Sequence, residues 1–313
     1  MNAPAILITV AAIGASLAVA RQQPVGAQET AAPARAAASR TRTPAPTIDD
    51  GYGVFVHVPA GAFTMGDTFG DGDGRERPVH TVELDAFYIG RYEVTNAQWR
   101  RFRDDPGYDD PAHWPDGRVM PKTQIPYWTQ AQNHGGGTPD SDGYPVLGVN
   151  WDGATAYCRW LSAKTGKTYR LPTEAEWEKA ARGTDRRRYP WGNAIDRTRA
   201  NYAGGQTFDT ARPVGFYDGT VRGELRTQSN ASPYGAFDMA GNVMEWCQDW
   251  YARDYYRVSP RRNPKGPETG AYRVLRGGTF FMDPLDLRAY ARHAGWPSVQ
   301  THRMVGFRPV RVP

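Results

Sequence analysis

The chain has 313 residues, of which 40% are hydrophobic and 23% are charged, so it can bury a sizeable core as one large domain with a tail. Its 34 glycines, 25 prolines and 10 tryptophans indicate irregular connections held by large aromatic side chains and argue against a bundle of long helices. The net charge of +5 comes from 38 basic and 33 acidic residues interspersed along the chain, which argues against a nucleic-acid-binding groove with its clustered basic residues.

The first segment of the chain is typical of an export signal. Residues 5–20 form a predominantly apolar run that is short for a membrane span. Small residues permit cleavage after Ala20 or Ala27, which predicts a signal peptide over residues 1–27. No lysine or arginine precedes the run, so an uncleaved anchor is the alternative. With cleavage, we expect a periplasmic or secreted protein without a membrane span.

The next segment has the composition of a spacer. Residues 28–50 are rich in alanine, proline, threonine and arginine and show no apolar periodicity. Such a segment cannot bury enough apolar surface to offset the entropy that folding costs. We therefore predict a disordered linker over residues 28–50 and one folded domain over residues 51–313.

The first part of this domain carries strand signals and then a helix signal. Residues 54–65 begin with alternating apolar and polar positions and contain a Pro-Ala-Gly turn, which predicts a β-hairpin. Residues 81–88 predict a further strand. Thr95 is placed to cap a helix over residues 96–103.

Two more helices have clear start and stop signals. Asn150 can cap the first of them, and Gly166 ends its apolar stripe. The other begins with a capping box between Thr173 and Glu176 and is predicted to run to Arg182.

An aromatic and acidic stretch over residues 231–251 stands out in the second half of the chain. Asp238 and Glu245 are seven residues apart with Gly241 between them, so their oxygens can converge on a hard cation such as calcium. An ordinary capped turn is the alternative. Beyond this stretch, residues 305–310 predict the last strand.

The remaining chemistry is sparse. Cys158 and Cys247 are not in a metal-type pair, so they form either one disulfide or two buried thiols. The six histidines are scattered singly, and the chain has no phosphate loop and no Gly-x-Ser-x-Gly. A histidine metal triad, phosphate chemistry and a hydrolase nucleophile are therefore unsupported.

Seven blocks in chain order carry a family resemblance. They are VPAGAFTMG, RPVHTVELDAFYIGRYEVTNAQW, RLPTEAEWEKAARG, YPWGN, YGAFDMAGNVMEW, RVLRGGTF and VGFR. Together they resemble the sulfatase-modifying factor family, whose founding members are formylglycine-generating enzymes. The resemblance covers residues 54–311. It implies an α+β fold related to C-type lectins, with many loops, little regular secondary structure and bound calcium.

The resemblance also implies where calcium is held. The second calcium position of the family falls on Asp238, Gly241, Val243 and Glu245. The beginning of the first position falls on Asn201 and Tyr202, with Gln206, Phe208 or Asp209 as further partners.

The family's reaction centre does not carry over. Formylglycine-generating enzymes hold copper(I) between two cysteines, and those positions fall on Met282 and Leu287, or on Met282 and Pro284. Since copper(I) prefers soft thiolates, we predict that the copper route is absent. Thr279 stands where the family has a serine, and Arg292 matches an arginine of its substrate groove.

Two functions remain open. The first is an oxidative or maturation factor that acts on a peptide or peptide-derived substrate, with Thr279, Arg292 and His293 as candidates for the catalytic groove and with no redox metal assigned. The second is a non-catalytic binding or display protein, such as a secretion or motility component or a retroelement variable protein. Its ligand would be a peptide, protein or small molecule held on the surface from residue 280 to residue 303.

Overall fold

The computed structural model describes residues 46–122, 141–204, 210–297 and 304–313. The predicted signal peptide and most of the predicted linker lie outside the described residues. Within the described ranges, none of the helices combines the length and apolarity needed to span a bilayer. The domain has few helices and many loops, in agreement with the α+β class that the sequence predicts.

The α-helices are short. They are α1 (Asn96–Arg103), α2 (Trp151–Thr165) and α3 (Glu174–Arg182). The strands are shorter still. They are β1 (Thr47–Asp49), β2 (Val54–Val58), β3 (Gly61–Met65), β4 (His80–Leu84), β5 (Phe87–Gly90), β6 (Tyr169–Arg170), β7 (Val221–Arg222), β8 (Leu225–Arg226), β9 (Met244–Trp250), β10 (Arg273–Arg276), β11 (His293–Gly295), β12 (Val305–Gly306) and β13 (Val310–Arg311).

Two sheets form the frame of the domain. One has the strand order β1-β2-β5-β13-β6, and the other has the order β11-β10-β9-β12. In the second sheet, β12 runs parallel to β9 while β10 runs antiparallel to it. The closing residues 305–310, predicted as one strand, thus supply β12 to one sheet and the start of β13 to the other.

The predicted hairpin over residues 54–65 is wrong, although both of its strands exist. Strand β2 pairs with β1 and β5, and strand β3 pairs with β4. The Pro-Ala-Gly turn therefore leads the chain from one sheet into another. The predicted strand over residues 81–88 likewise divides into β4 and β5. Turn residues fix where a chain bends, but the apolar face that it meets decides its partner.

The start of the folded domain also differs from its predicted position at residue 51. Strand β1, which belongs to the predicted linker, pairs antiparallel with β2, so that Ile48 faces Phe55. Its three residues have a single apolar position, Ile48, between two polar ones, which is too short a pattern to predict a strand without its neighbour.

All three predicted helices are confirmed. In α1, the Thr95 side chain accepts a hydrogen bond from the Gln98 N–H, and the Gln98 side chain accepts one from the Thr95 N–H. The same reciprocal pair opens α3 at Thr173 and Glu176. Helix α2 ends at Gly166 with φ of 67°, a conformation that glycine adopts without strain.

Helix α3 is buried along its whole length and carries charges into the interior. Glu174 and Glu178 both accept hydrogen bonds from Arg276, at 3.3 and 2.6 Å. Arg182 donates to Glu178 at 3.0 Å. Because each of these charges has a partner, the network ties α3 to β10 without leaving an isolated buried ion.

Both cysteines are buried free thiols, so the disulfide alternative is not realised. Cys158 lies in the aromatic cluster between α1 and α2, whereas Cys247 lies in a second cluster beside α3. Burial raises the pKa of both thiols, which keeps them protonated and unreactive.

Candidate functional site

The acidic turn before β9 folds tightly onto the chain at Asn201. Asp238 and Asn242 have positive φ values of 59° and 63°, and Gly241 has φ of 80°. The Asn242 N–H donates to the Asn201 carbonyl at 2.9 Å, and a Cβ atom at Gly241 would collide with that same carbonyl. The turn thus brings the two expected calcium positions, at Asn201–Tyr202 and at Asp238–Glu245, next to each other.

The two carboxylates of the turn already have protein partners. Asp238 accepts hydrogen bonds from the Gly215 N–H at 2.5 Å and from Asn230 at 2.9 Å. Glu245 accepts two from the fully buried Arg308, at 2.6 and 2.7 Å. It also accepts one from the Trp177 indole at 2.9 Å. Both Glu245 oxygens therefore have a hydrogen-bond partner within the protein.

A third carboxylate in this region was missed by the sequence analysis. Glu93 is buried, one of its oxygens accepts a hydrogen bond from Asn242 at 3.1 Å, and the other has no partner. Burial and the nearby Asp238 raise the pKa of Glu93 well above its usual range. Its only signal in the sequence is its place within one of the seven family blocks, because it is far from the acidic turn along the chain.

The surplus of acidic groups makes part of this site compatible with a cation. Burial raises the pKa of Asp238 as well, and Arg308 is the guanidinium that partly offsets both effects. The Asn201 side-chain oxygen is buried without a hydrogen-bond partner. In the described part of the chain, however, no three His, Cys, Asp or Glu side chains are grouped to hold a metal ion. Amide and carbonyl oxygens would therefore have to complete any calcium site here.

The loop after β10 contains the positions where the resemblance places the family's cysteine pair. Gly277 and Gly278, with φ of 97° and 70°, turn the chain out of the sheet. The Gly241 N–H donates to the Gly277 carbonyl at 2.8 Å, so the acidic turn holds the start of this loop. We call residues 277–287 the reaction loop.

Apolar side chains occupy the expected cysteine positions. Leu287 is fully buried, and the half-buried Met282 packs in the same cluster as Tyr189 and Tyr202. Pro284 is half-buried and carries no sulfur. A thioether and an aliphatic side chain do not provide the two thiolates that hold copper(I) in the family, so these residues do not fit that metal.

The three groove candidates have different surroundings. Thr279 is buried in the reaction loop, where its hydroxyl donates to the Met304 sulfur at 3.6 Å. Arg292 is 1% exposed and donates two hydrogen bonds to Glu174, at 2.7 and 2.8 Å, as part of the internal charge network. His293 has its Nε2 atom 3.7 Å from the Asp286 carboxylate of the reaction loop.

His293 is the candidate whose surroundings suit acid–base chemistry best. Burial lowers its pKa, although Asp286 opposes this effect, so the imidazole is neutral at neutral pH and can accept a proton. Its Nε2 atom has no hydrogen-bond partner and borders a loop with exposed side chains.

Residues 42–313 match the family model described as the sulfatase-modifying factor enzyme 1-like domain. The chain belongs to this family. The formylglycine-generating enzyme of Streptomyces coelicolor is 36% identical over an alignment of 326 positions, which covers 93% of this chain and 96% of that enzyme. This sulfatase-modifying factor domain thus has the seven blocks of the family without its cysteine pair.

Other relatives are longer proteins. The serine/threonine-protein kinase pkn1 of Chlamydia caviae is 37% identical over 259 residues, which cover 81% of this chain but only 37% of the kinase. The hercynine oxygenase of Mycolicibacterium smegmatis is 36% identical over 268 residues, covering 78% of this chain and 58% of that enzyme.

Solved structures share the fold. PvdO from Pseudomonas aeruginosa superposes with a TM-score of 0.65 at 25% identity, covering 87% of this chain and 100% of PvdO. Treponema denticola variable protein 1 gives a TM-score of 0.64 at 25% identity, covering 86% of this chain and 99% of that protein.

Proposed function

We propose that this protein is an exported oxidative or maturation factor that acts on a peptide or peptide-derived substrate without a copper(I) cysteine pair. The observation that carries the proposal is an intact family scaffold around a reaction loop with Met282 and Leu287 at the cysteine positions. The relatives named formylglycine-generating enzyme and hercynine oxygenase support an oxidative role for the scaffold.

The position of the reaction loop supports a retained site. Hydrogen bonds from Gly241 to the Gly277 carbonyl and from Phe280 to the Asn242 carbonyl, at 2.8 and 3.1 Å, hold the loop on the acidic turn. This double attachment fixes the loop relative to the acidic turn, as a site that positions a substrate requires. Thr279 lies within the loop, and His293, which lies beside it, is the candidate for proton transfer.

The absence of a copper(I) route is tested with a sulfatase-motif peptide and copper(I). The formylglycine-generating enzyme of Thermomonospora curvata, a 38% identical relative, is the positive control. We expect formylglycine from the control and none from this protein by mass spectrometry. Formylglycine from both would refute the absence of the copper route.

The positive half is tested in the source organism. Extracts of a strain lacking the gene are compared with the wild type by mass spectrometry, and we expect a peptide or peptide-derived compound to accumulate in a less oxidised form. Complementation with the intact gene should restore the oxidised form, whereas complementation with His293→Ala should not. Identical metabolite profiles with and without the gene would count against any oxidative or maturation role.

A binding role is the second candidate. It is favoured by the exposure of Phe281 and Leu285, each 57% exposed, and by the fold shared with Treponema denticola variable protein 1. A reverse transcriptase and a near-copy of the last coding segment beside the gene would select this candidate. Without them, the retroelement assignment falls.

We also propose that the domain binds calcium beside the acidic turn. The unpartnered oxygens of Asn201 and Glu93 and the surplus of carboxylates there support this proposal. Calcium bound to purified protein, and a rise in melting temperature with calcium that Asn201→Ala removes, would agree with it. A melting temperature that is the same in calcium and in a chelator would refute it.

Export is tested by cell fractionation. We expect the mature protein outside the cytoplasm with its N-terminus at Arg21 or Gln28, one residue after the predicted cleavage positions. A full-length chain in the membrane fraction would instead select the uncleaved anchor.

A further inference from the structure

A rigid pair of aromatic rings lies beside the reaction loop. Tyr189 and Gly192 exchange two backbone hydrogen bonds of 2.8 and 3.0 Å, which close a tight turn with Pro190 and Trp191 at its tip. The rings of Tyr189 and Trp191 are 5.5 Å apart and only 7° from parallel. The Trp191 indole N–H donates to the Ala194 carbonyl at 2.9 Å. The indole is therefore fixed in one orientation, although it is only partly buried.

Trp191 lines an open cleft of about 520 Å³. A volume of this size accommodates a large side chain or a small molecule. Ile195 and Tyr202 add further apolar wall. Among the charged residues of the cleft, Asp196 is paired with Arg199 at 3.3 Å, which leaves the exposed Arg197 as a surplus positive charge.

The cleft and the reaction loop pack against the same apolar cluster. The Tyr189 hydroxyl donates to the Pro284 carbonyl at 3.0 Å. Tyr189 and Tyr202 also pack in one apolar cluster with Leu287 and Met282, the residues at the expected cysteine positions. A group held against Trp191 would thus be separated from the reaction loop only by this cluster.

The alternative explanation is that Trp191 has only a structural role and packs against the turn. The neighbouring Tyr189 performs that packing, since it is 4% exposed and makes the hydrogen bond to the loop. Trp191 is fixed by two further contacts while part of its ring remains open to the cleft. An aromatic side chain that is rigid before binding loses little conformational entropy when a ligand stacks on it.

We propose that the Trp191 cleft binds an aromatic side chain of a peptide-type substrate, with a neighbouring carboxylate of the substrate beside Arg197. The assignment of this group to a substrate rests on the proposed function. The binding itself does not, because it can be measured without turnover.

The probe for the test is N-acetyl-L-tyrosine, which has one aromatic ring and one carboxylate, and its binding is followed by ligand-observed NMR titration. We expect Trp191→Ala to weaken binding about two- to tenfold, the usual range for one aromatic contact, and Trp191→Phe to weaken it less. Tyr272→Ala is the matched control, because Tyr272 is an aromatic residue that is 36% exposed and lies outside both the cleft and the surface from residue 280 to residue 303.

The charge is tested separately. Arg197→Glu should weaken binding of N-acetyl-L-tyrosine while leaving its amide, N-acetyl-L-tyrosinamide, unaffected. Because Arg197 is exposed, this variant keeps the proposal testable even if Trp191→Ala fails to fold. Equal affinity in the wild type and in folded Trp191 variants, no binding by the wild type, or a loss caused by Tyr272→Ala would each overturn the proposal.

The outcomes separate the two proposals. Trp191-dependent binding without any oxidised product in the organism would refute the proposed function alone. An oxidised product that forms equally well with Trp191→Ala, together with unchanged probe affinity, would refute the aromatic cleft alone.

Discussion

Replacement of Arg308 by methionine is expected to destabilise the domain by about 3–5 kcal/mol, the usual cost of breaking a buried ion pair from one side. Arg308 is fully buried and donates two hydrogen bonds to Glu245. It donates others to the carbonyls of Gly90 and Phe237 at 3.0 and 2.9 Å. Methionine fills much of the same volume but leaves the Glu245 carboxylate and two carbonyls without these donors.

The assay is thermal and urea unfolding of purified variants. At the roughly 2 °C per kcal/mol of a domain of this length, the expected loss lowers the melting temperature by roughly 6–10 °C. Arg261→Met is the matched control, because Arg261 also grips one carboxylate, Glu83, but its side chain is 69% exposed. A surface pair of this kind contributes about 0–1 kcal/mol. A melting temperature for Arg308→Met as high as that of Arg261→Met would refute the reasoning.

Arg308→Met also distinguishes arginine from calcium as the partner of Glu245. In the double variant Arg308→Met/Glu245→Gln, no unpaired carboxylate charge remains at this position. Its loss of stability should therefore be smaller than the sum of the losses in the two single variants. If calcium alone restored Arg308→Met to wild-type stability, then Glu245 would be a calcium ligand after all. We expect calcium to leave most of the loss in place, because the carbonyls that Arg308 satisfied remain unpaired.

Three further predictions concern burial and backbone strain. Burial, reinforced by a neighbouring glutamate, raises the pKa of Asp249 to about 8, so the folded state keeps a proton that the unfolded state releases near pH 4. Stability should therefore fall by on the order of 5 kcal/mol as the pH rises from 4 to 8, and Asp249→Asn should flatten this fall in urea titrations at several pH values. Gly241→Ala should lower the free energy of unfolding by about 3 kcal/mol or more, because Gly241 has φ of 80° and an added Cβ atom would clash with a carbonyl. Gly51→Ala is the control, because Gly51 has φ of 78° but open space around it, and it should cost about 1–2 kcal/mol in the same unfolding assay. Cys158 and Cys247 should not react with Ellman's reagent in the native protein, and both should react in urea; fast labelling of the native protein would contradict their burial.

Local signals in the sequence determined the helices and the family. The capping box of α3 needs only Thr173 and Glu176, three residues apart, and the stop of α2 needs only a glycine at Gly166. Interactions of this range do not depend on the rest of the chain, so they can be predicted from the sequence. The identity and order of the residues in the seven family blocks likewise predicted the fold and the absence of the cysteine pair.

Long-range contacts decided what the sequence could not. The hairpin expected from residues 54–65 failed because β2 and β3 each found a partner strand in a different sheet. Arg308 reaches Glu245 from 63 positions along the chain, and Glu93 reaches Asn242 from 149 positions. Such pairs form only after the sheets have closed the intervening loops, so no spacing in the sequence reports them. For the same reason, the sequence determined which residues make up the acidic turn and the reaction loop, and only the tertiary structure decided which distant residues, such as Glu93 and Arg308, border the turn and which charges are paired.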